Sequence, residues 1–225
     1  MDDLFNYVLG QCSSALQLEE VQIPPELART KYPFNILDLV CRNWRAGRLR
    51  KIYCMRMKML VPKLDILGMA FHPEHCFDTP IFLFDLSCTS KKIITYINVF
   101  AAVDDPAYYE KYMRPFEQII KRYARFQPVE MPEWMQFYRS ACTIYSHPAT
   151  GCLDELKACV KDCLGLYLPM LAGAEKISDP QKLEAVERFH ARFVNDVVTK
   201  DRSQIMLGKV IGKKKAGRLF REVLT

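Results

Sequence analysis

The chain has 225 residues, of which half are hydrophobic and 12% are aromatic, so it can bury a sizeable core. It contains no run of the roughly 20 apolar residues that a membrane-spanning helix needs, and its acidic start, MDDLFNYVLGQ, is unlike a secretory signal. We therefore expect a single domain over residues 1–225 that is a monomer, lies in the cytoplasm and does not bind a membrane.

The first half of the chain changes from helical to extended patterns. DDLFNYVLGQCSSAL has apolar residues at helical spacing and predicts an amphipathic helix, and QIPPELARTKYP is typical of a proline-bounded loop. Four short runs rich in β-branched and aromatic residues then predict strands: LRKIYCMRMKML, LDILGMAF, PIFLFDLS and KIITYINVF. Because the turns between them are short, the strands should form an antiparallel meander.

The second half of the chain is predicted to be helical. PAYYEKYMRPFEQIIKRYARF has aromatic and aliphatic residues at i, i+4 spacing, and further helices are predicted over 132–145, 152–170, 179–199 and 202–223, the last interrupted near Gly212. A block of strands with helices before and after it indicates a sheet covered by helices. The predicted fold is α+β, a three-layer α/β/α sandwich around a central antiparallel sheet.

The positive charge of the chain is concentrated at its C-terminal end. The net charge is +6, and residues 200–225 hold eight basic residues against two acidic ones. This pattern is typical either of a solvated helix face or of a docking surface for an acidic partner, whose association it would accelerate. Nucleic acid is a third interpretation, but no helix-turn-helix, RNA-binding or zinc motif accompanies the segment, and we expect no nucleic-acid partner.

The cysteine and histidine patterns do not favour a metal site. The nine cysteines include no C-x-x-C pair, and their odd number in a chain without a secretory signal indicates reduced thiols. His72 and His75 are close together, but no second pair accompanies them. We therefore predict no metal centre.

One carboxylate interrupts an apolar strand. Side chains alternate across a strand, so Ile81, Leu83, Asp85 and Ser87 should share one face of PIFLFDLS. Asp85 can be a structural acid that accepts hydrogen bonds or pairs with an arginine. Alternatively, its apolar surroundings raise its pKa, so that it stays protonated near neutrality and can donate a proton. Gly68, inside the preceding strand, marks either a bulge or a close approach by a ligand.

Two segments of the chain resemble a known family. FHPEHCFDTPIFLFDLS has a proline followed by D-x-P-x-F-x-x-D, with Pro73, Asp78, Pro80, Phe82 and Asp85 at the corresponding positions. The closing DRSQIMLGKVIGKKKAGRLFREVL has an acid at the start of a helix, Asp201, and a glycine eleven residues later, Gly212. These patterns are similar to those of the ferredoxin-dependent bilin reductases.

The resemblance implies a fold, a reaction and two catalytic residues. Members of that family are α/β/α sandwiches that bind biliverdin IXα between the sheet and the C-terminal helices. They hold no flavin, metal or nicotinamide, and receive single electrons from an external [2Fe–2S] ferredoxin. Asp85 and Asp201 match the two acids that protonate the bilin, which makes the chain an oxidoreductase acting on CH–CH groups. Its basic C-terminal residues, Lys213, Lys214, Lys215 and Arg218, would dock the acidic ferredoxin.

The chain also departs from the family pattern. Some relatives have a histidine or an asparagine seventeen residues before the central aspartate, where this chain has Gly68, and a glutamate on the strand before that, where the count gives Arg56. Gly68 and Arg56 are therefore predicted substrate-binding positions, and the two-aspartate pattern is more similar to relatives that produce phycoerythrobilin or phytochromobilin. Two alternatives stay open: a non-catalytic tetrapyrrole carrier on the same fold, and a reductase of a linear chlorophyll catabolite.

Overall fold

The computed structural model describes residues 1–225, and all eight of its strands belong to one antiparallel sheet. The strands lie in the order β1-β3-β4-β5-β6-β7-β8, and β2 pairs with a second part of β3. Their bounds are β1 Glu19–Val21, β2 Arg29–Lys31, β3 Leu37–Ala46, β4 Leu49–Met59, β5 Leu64–Pro73, β6 Ile81–Thr89, β7 Ile93–Phe100 and β8 Ile144–Ser146.

Nine helices cover this sheet. Their bounds are α1 Asp2–Ala15, α2 Pro25–Ala28, α3 Pro106–Tyr108, α4 Arg114–Lys121, α5 Glu133–Gln136, α6 Leu153–Ala172, α7 Pro180–Lys200, α8 Ser203–Ile211 and α9 Lys213–Leu219. A π-helical turn, Tyr109–Met113, joins α3 to α4, and another, Phe220–Leu224, follows α9. None of these helices combines the length and the apolar character that crossing a bilayer requires.

The first helical layer covers one face of the sheet. It consists of α1, the α3–α4 segment and α6, which pack on strand residues such as Leu67, Phe82 and Ile97 in one large core cluster. Phe71, Phe82 and Tyr167 form its aromatic centre, with ring centroids 5.5 to 5.6 Å apart. Because both faces of the central strands are covered, β6 is almost continuously apolar.

The second helical layer covers the opposite face in two separate parts. Helices α8 and α9 pack on Leu37, Leu39 and Ile66 near one edge of the sheet. Helix α7 packs through Phe193 on Ala70, Leu83 and other residues of β5, β6 and β7. The two clusters share only Tyr53 and Val197 as partly buried neighbours, so a seam runs between them over the centre of the sheet.

The predicted sandwich, its meander β4–β7 and its N- and C-terminal helices are confirmed. Two local predictions are wrong. Residues 132–145 form only the short helix α5 and then enter β8, which pairs with β7. The segment QIPPELARTKYP, predicted to be a loop, contains α2 and β2, because β3 offers β2 a free edge with which to pair.

Candidate active site

A row of residues crosses the sheet beneath the seam. Met55 of β4 lies opposite Gly68 of β5, Gly68 lies opposite Asp85 of β6, and Asp85 lies opposite Tyr96 of β7. Asp85, Met55 and Tyr96 are only half-buried, although they occupy the centre of a covered sheet. The next residues of β6 and β5 on the same face, Leu83 and Ala70, are buried. Asp85 therefore keeps part of its surface accessible within the seam, and this partly open place above Asp85 is called the recess below.

The carboxyl group of Asp85 is held by one hydrogen bond. Ser87, two residues along the same face, donates its hydroxyl to Oδ1 of Asp85 at 2.7 Å. Removal from water raises the pKa of Asp85 to about 6, and the charge of Asp201 raises it as well, whereas the Ser87 hydrogen bond acts in the opposite direction. No arginine or lysine pairs with Asp85. Of the two structural interpretations of Asp85, pairing with an arginine is therefore not what the structure has, whereas a hydrogen bond is present, from Ser87.

Gly68 leaves room for the Asp85 side chain. A Cβ atom placed on Gly68 would lie 2.9 Å from Oδ2 of Asp85, which is closer than such atoms normally approach. The glycine has an ordinary negative φ and starts no bulge, since the register from β4 to β6 is continuous at this point. Its role in the structure is thus to let the carboxyl of Asp85 lie over the β5 backbone.

Asp201 enters the recess from the helical layer. It ends α7, and its Oδ1 accepts hydrogen bonds from the backbone N–H and the hydroxyl of Ser203, at 2.8 and 2.7 Å. Its charge raises the pKa of Asp85, of Tyr53 and of Tyr145, which lie on three different strands. The structure therefore brings together the two aspartates that the sequence predicted as catalytic residues.

Aromatic and amide side chains complete the recess, and sequence reasoning missed them. Burial raises the pKa of both Tyr53 and Tyr96, so both phenols stay protonated at neutral pH. Asn98 donates to the Tyr96 hydroxyl at 3.1 Å and to the backbone oxygen of Tyr138 at 2.8 Å, which fixes Tyr96 in place. Because side chains alternate along a strand, the sequence does indicate that Asn98 and Tyr96 share one face of β7. That this face carries Asp85 follows only from the pairing of β6 with β7.

Arg56 does not belong to this site. It lies opposite Leu67, on the face that packs against the first helical layer, and its guanidinium pairs with Asp2 of α1. The residue of β4 that faces Gly68 and Asp85 is Met55. The prediction of Arg56 as a substrate-binding position therefore disagrees with its placement, because a one-residue difference in register moves a side chain to the other face.

The remaining residues of the D-x-P-x-F-x-x-D motif are structural. Asp78 is buried, accepts a hydrogen bond from the Tyr112 hydroxyl at 2.7 Å and pairs with Lys182 of α7 at 2.7 Å. The backbone oxygen of Pro80 accepts from Tyr167 at 3.1 Å, and Phe82 belongs to the core of the first layer. The motif thus fixes the β5–β6 connection to both helical layers and places only Asp85 in the recess.

The predicted docking residues lie on α9. Lys213 and Lys214 are exposed, Lys215 is half-buried, and none of the three forms an ion pair. Arg218 pairs with Glu26 at 2.8 Å and with Glu222 at 2.7 Å. The positive charge of α9 that no acidic side chain pairs with therefore comes from its lysines.

The recess can supply protons to a ligand bound against the sheet. It has a carboxyl group that changes its protonation state near neutral pH, a second carboxyl close by, and phenol and thioether side chains around them. No three histidine, cysteine, aspartate or glutamate side chains are arranged to hold a metal ion. The chemistry that these groups offer is proton transfer next to an apolar surface.

Comparisons with known proteins identify relatives of this chain. Two curated relatives are named phycoerythrobilin:ferredoxin oxidoreductase. The one from Gloeobacter violaceus is 25% identical over 174 residues, which cover 75% of this chain and 71% of the relative. The one from Nostoc punctiforme is 25% identical over 228 aligned positions, which cover 92% of this chain and 85% of the relative.

A solved structure shares the fold. The crystal structure of phytochromobilin synthase from tomato in complex with biliverdin matches with a TM-score of 0.87 and 18% identity, over 98% of this chain and 82% of that chain. A family model described as ferredoxin-dependent bilin reductase matches residues 5–225. Since that match includes both aspartates of the recess and nearly all of the sandwich, the chain belongs to the ferredoxin-dependent bilin reductase family.

Proposed function

We propose that this chain reduces biliverdin IXα to a phycobilin or phytobilin in the recess between the sheet and helices α7 and α8. The observation that carries the proposal is the environment of Asp85, a half-buried carboxyl with a pKa raised to about 6, beside Asp201 and without a basic partner. The names of the two curated relatives and the biliverdin in the tomato protein support the choice of substrate.

The proposed reaction needs both electrons and protons. Each reduced carbon–carbon double bond takes up two electrons, one from each of two ferredoxins, and two protons. A conjugated bilin accepts an electron more readily once it is protonated, so an acid that is still partly protonated near neutral pH favours the first step. In this proposal Asp85 gives the first proton, Asp201 gives the second, and Ser87 keeps the Asp85 carboxyl aligned with the ligand. The protein acts as a cytoplasmic monomer, and ferredoxin docks at Lys213, Lys214, Lys215 and Arg218.

The test combines binding and turnover. Purified protein mixed with biliverdin should shift the visible spectrum of the pigment, and reduced ferredoxin should then convert it, under anaerobic conditions, to a product that chromatography separates from biliverdin. The Asp85→Asn variant should bind biliverdin but stop at the unreduced bilin or at a radical. Asp104→Asn, at an exposed site outside the recess, is the matched control and should keep full turnover.

Each possible failure identifies an alternative. Full turnover by Asp85→Asn would remove Asp85 from the mechanism. Bound biliverdin that survives reduced ferredoxin unchanged would favour the non-catalytic carrier. Absence of binding, together with conversion of a linear chlorophyll catabolite, would favour that sister reaction.

A further inference from the structure

A second polar cluster lies beneath α7, at the end of β5 away from Gly68. It contains three of the four histidines of the chain: His72 of β5, His75 of the β5–β6 connection and His190 of α7. His72 and His190 are 0% and 1% exposed, and the ring centroids of His75 and His190 are 5.0 Å apart. The proposed function uses none of these side chains.

The nitrogens of this cluster lack hydrogen-bond partners. Both ring nitrogens of His72, both of His190, Nε2 of His75 and Nε of Arg50 are buried and unpaired. A buried polar group without a partner costs about 1–3 kcal/mol, and native structures contain few such groups. Six of them in one cluster are donors and acceptors that a bound group could satisfy.

The charged side chains around the three imidazoles are mainly positive. Burial lowers the pKa of all three imidazoles, and the charge of Arg50 lowers the pKa of each of them further, so all three rings lie within range of that charge. Lys51 adds a second positive charge near His72. Glu74 and Glu187 act on His75 in the opposite direction, but neither carboxylate hydrogen-bonds to the unpaired nitrogens.

The positive charge of the cluster determines which kind of group it can bind. A metal ion would be repelled by Arg50 and Lys51, and the side chains do not have the geometry of a metal site. A group with several acceptor oxygens could instead receive hydrogen bonds from the guanidinium and from one N–H of each neutral imidazole. Such a group can reach the cluster from solvent, since His75 and Arg50 are only half-buried.

We propose that the cluster of Arg50, His72, His75 and His190 binds an oxyanion, either a carboxylate or a phosphate. Two sources can supply it. One is a free anion in solution. The other is a propionate carboxylate of the tetrapyrrole, a source that rests on the function proposed above. Gly68 and His72 lie on the same face of β5, about 13 Å apart at 3.3 Å per residue, so a ligand against Asp85 could extend a side chain in this direction.

The first experiment uses the full chain with inorganic phosphate and with formate, each compared with chloride at matched ionic strength. The imidazole signals of ¹⁵N-labelled protein report binding, and His147, which lies beside Lys92 outside the cluster, is an internal control. We expect saturable shifts of the His72, His75 and His190 signals and none of His147. Equal shifts of all four signals, or no saturable shift, would overturn the proposal.

Variants test whether Arg50 holds the anion. Arg50→Met should weaken phosphate binding about tenfold or more, because it removes a charge-assisted hydrogen bond. Arg45→Met, at an exposed arginine without an ion pair, should bind phosphate as the wild type does. If Arg50→Met fails to fold, Arg50→Lys keeps the charge and should still lose most of the affinity. Unchanged affinity in the folded Arg50 variant would contradict the proposed site.

Biliverdin and its dimethyl ester distinguish the two sources. If the propionate occupies the cluster, biliverdin should displace phosphate from the three histidines and the ester should not. If phosphate stays bound while either pigment binds, the ligand is a free oxyanion. The phosphate titration needs no pigment, so it can succeed even if the chain does not bind biliverdin.

Discussion

At the scale of single residues, the burial that suits Asp85 to donate a proton also lowers the stability of the folded chain when the carboxyl is ionised. Its pKa in the folded chain, about 6, lies above the ordinary value of 3.8, so the folded state binds more protons than the unfolded state between these two pH values. At pH 8 the carboxylate is ionised in both states, and its burial destabilises the fold. This cost disappears as the pH falls through 6 towards 4, because the folded protein then takes up the proton first.

Asp85→Asn should therefore stabilise the chain at high pH. The gain in unfolding free energy at pH 8 should be at most about 3 kcal/mol, from a shift of about two pKa units, and should vanish near pH 4. Urea unfolding of the variant and the wild type at a series of pH values measures it, with Asp104→Asn as the control. A variant that is less stable than the wild type at pH 8 would show that ionised Asp85 is satisfied in the fold.

Gly68→Ala should affect function more than folding. The new methyl group would meet the mobile end of the Asp85 side chain rather than backbone, so the carboxyl can move away at a cost of about 1 kcal/mol or less. Turnover of biliverdin should fall, since the proton donor is displaced. Gly10→Ala, on an α1 glycine with no atom within 4 Å of the new Cβ, should keep turnover and slightly raise the melting temperature. Normal turnover by Gly68→Ala would mean that Asp85 need not lie over Gly68.

The sequence could predict the aspartates of the recess but not its other walls. Asp85 breaks an apolar strand, and Asp201 stands at a fixed place in a second motif, so both are visible in a single chain. Tyr53, Met55 and Tyr96 are apolar or aromatic residues in ordinary strands, and only the pairing register shows that they face Asp85. For the same reason the residue count along the sequence predicts Arg56 as a substrate-binding position, whereas the pairing of β4 with β5 places Met55 opposite Gly68.

At the scale of elements, Asp78 connects parts of the chain that are far apart in sequence. It stands in the β5–β6 connection and joins Tyr112, next to α4, to Lys182, in the first turns of α7. Helix α7 ends at Asp201, so this connection helps to set the position of the second acid over the sheet. The first aspartate of the D-x-P-x-F-x-x-D motif is thus a link between the two helical layers.

The Asp78–Lys182 pair should be strongly coupled. Asp78→Ala should lower the unfolding free energy by about 2–4 kcal/mol, because it leaves the Lys182 ammonium and the Tyr112 hydroxyl without their acceptor in a largely buried place. Lys182→Met should cost less, and the double variant should be more stable than the sum of the two single effects predicts. Denaturant unfolding of the four proteins measures this. Additive effects would show that the two side chains do not depend on each other.

Element prediction from the sequence succeeded where the chain has long periodic segments. The helices α1, α6 and α7 and the strands β4 to β7 have regular apolar spacing over their whole length. Residues 132–145 have aromatic residues in a helical spacing as well, but Tyr138 packs on the sheet from a turn and Ile144 is part of β8, a strand of the sheet. There the tertiary contacts, which one sequence cannot provide, decide the local structure.

At the scale of the whole molecule, the excess positive charge lies at the C-terminal end of the chain. Of the four predicted docking residues, Arg218 is neutralised by Glu26 and Glu222, whereas Lys213 and Lys214 are exposed and unpaired. A surface of this kind affects mainly the rate of encounter with an acidic partner, and salt screens it within about 10 Å at 0.1 M. The lysines should therefore control ferredoxin association, and Arg218 should contribute less.

Charge reversal of these lysines tests the docking surface separately from the chemistry. Lys213→Glu/Lys214→Glu should slow ferredoxin-dependent reduction about tenfold at low ionic strength, with little difference from wild type at high salt, where steering is screened. Lys121→Glu/Lys161→Glu makes the same change in net charge on the first helical layer and should have little effect. Biliverdin binding should be unchanged in both variants. Equal slowing by the two pairs would show that net charge, rather than α9, determines the association, and no slowing by Lys213→Glu/Lys214→Glu would place the docking surface elsewhere.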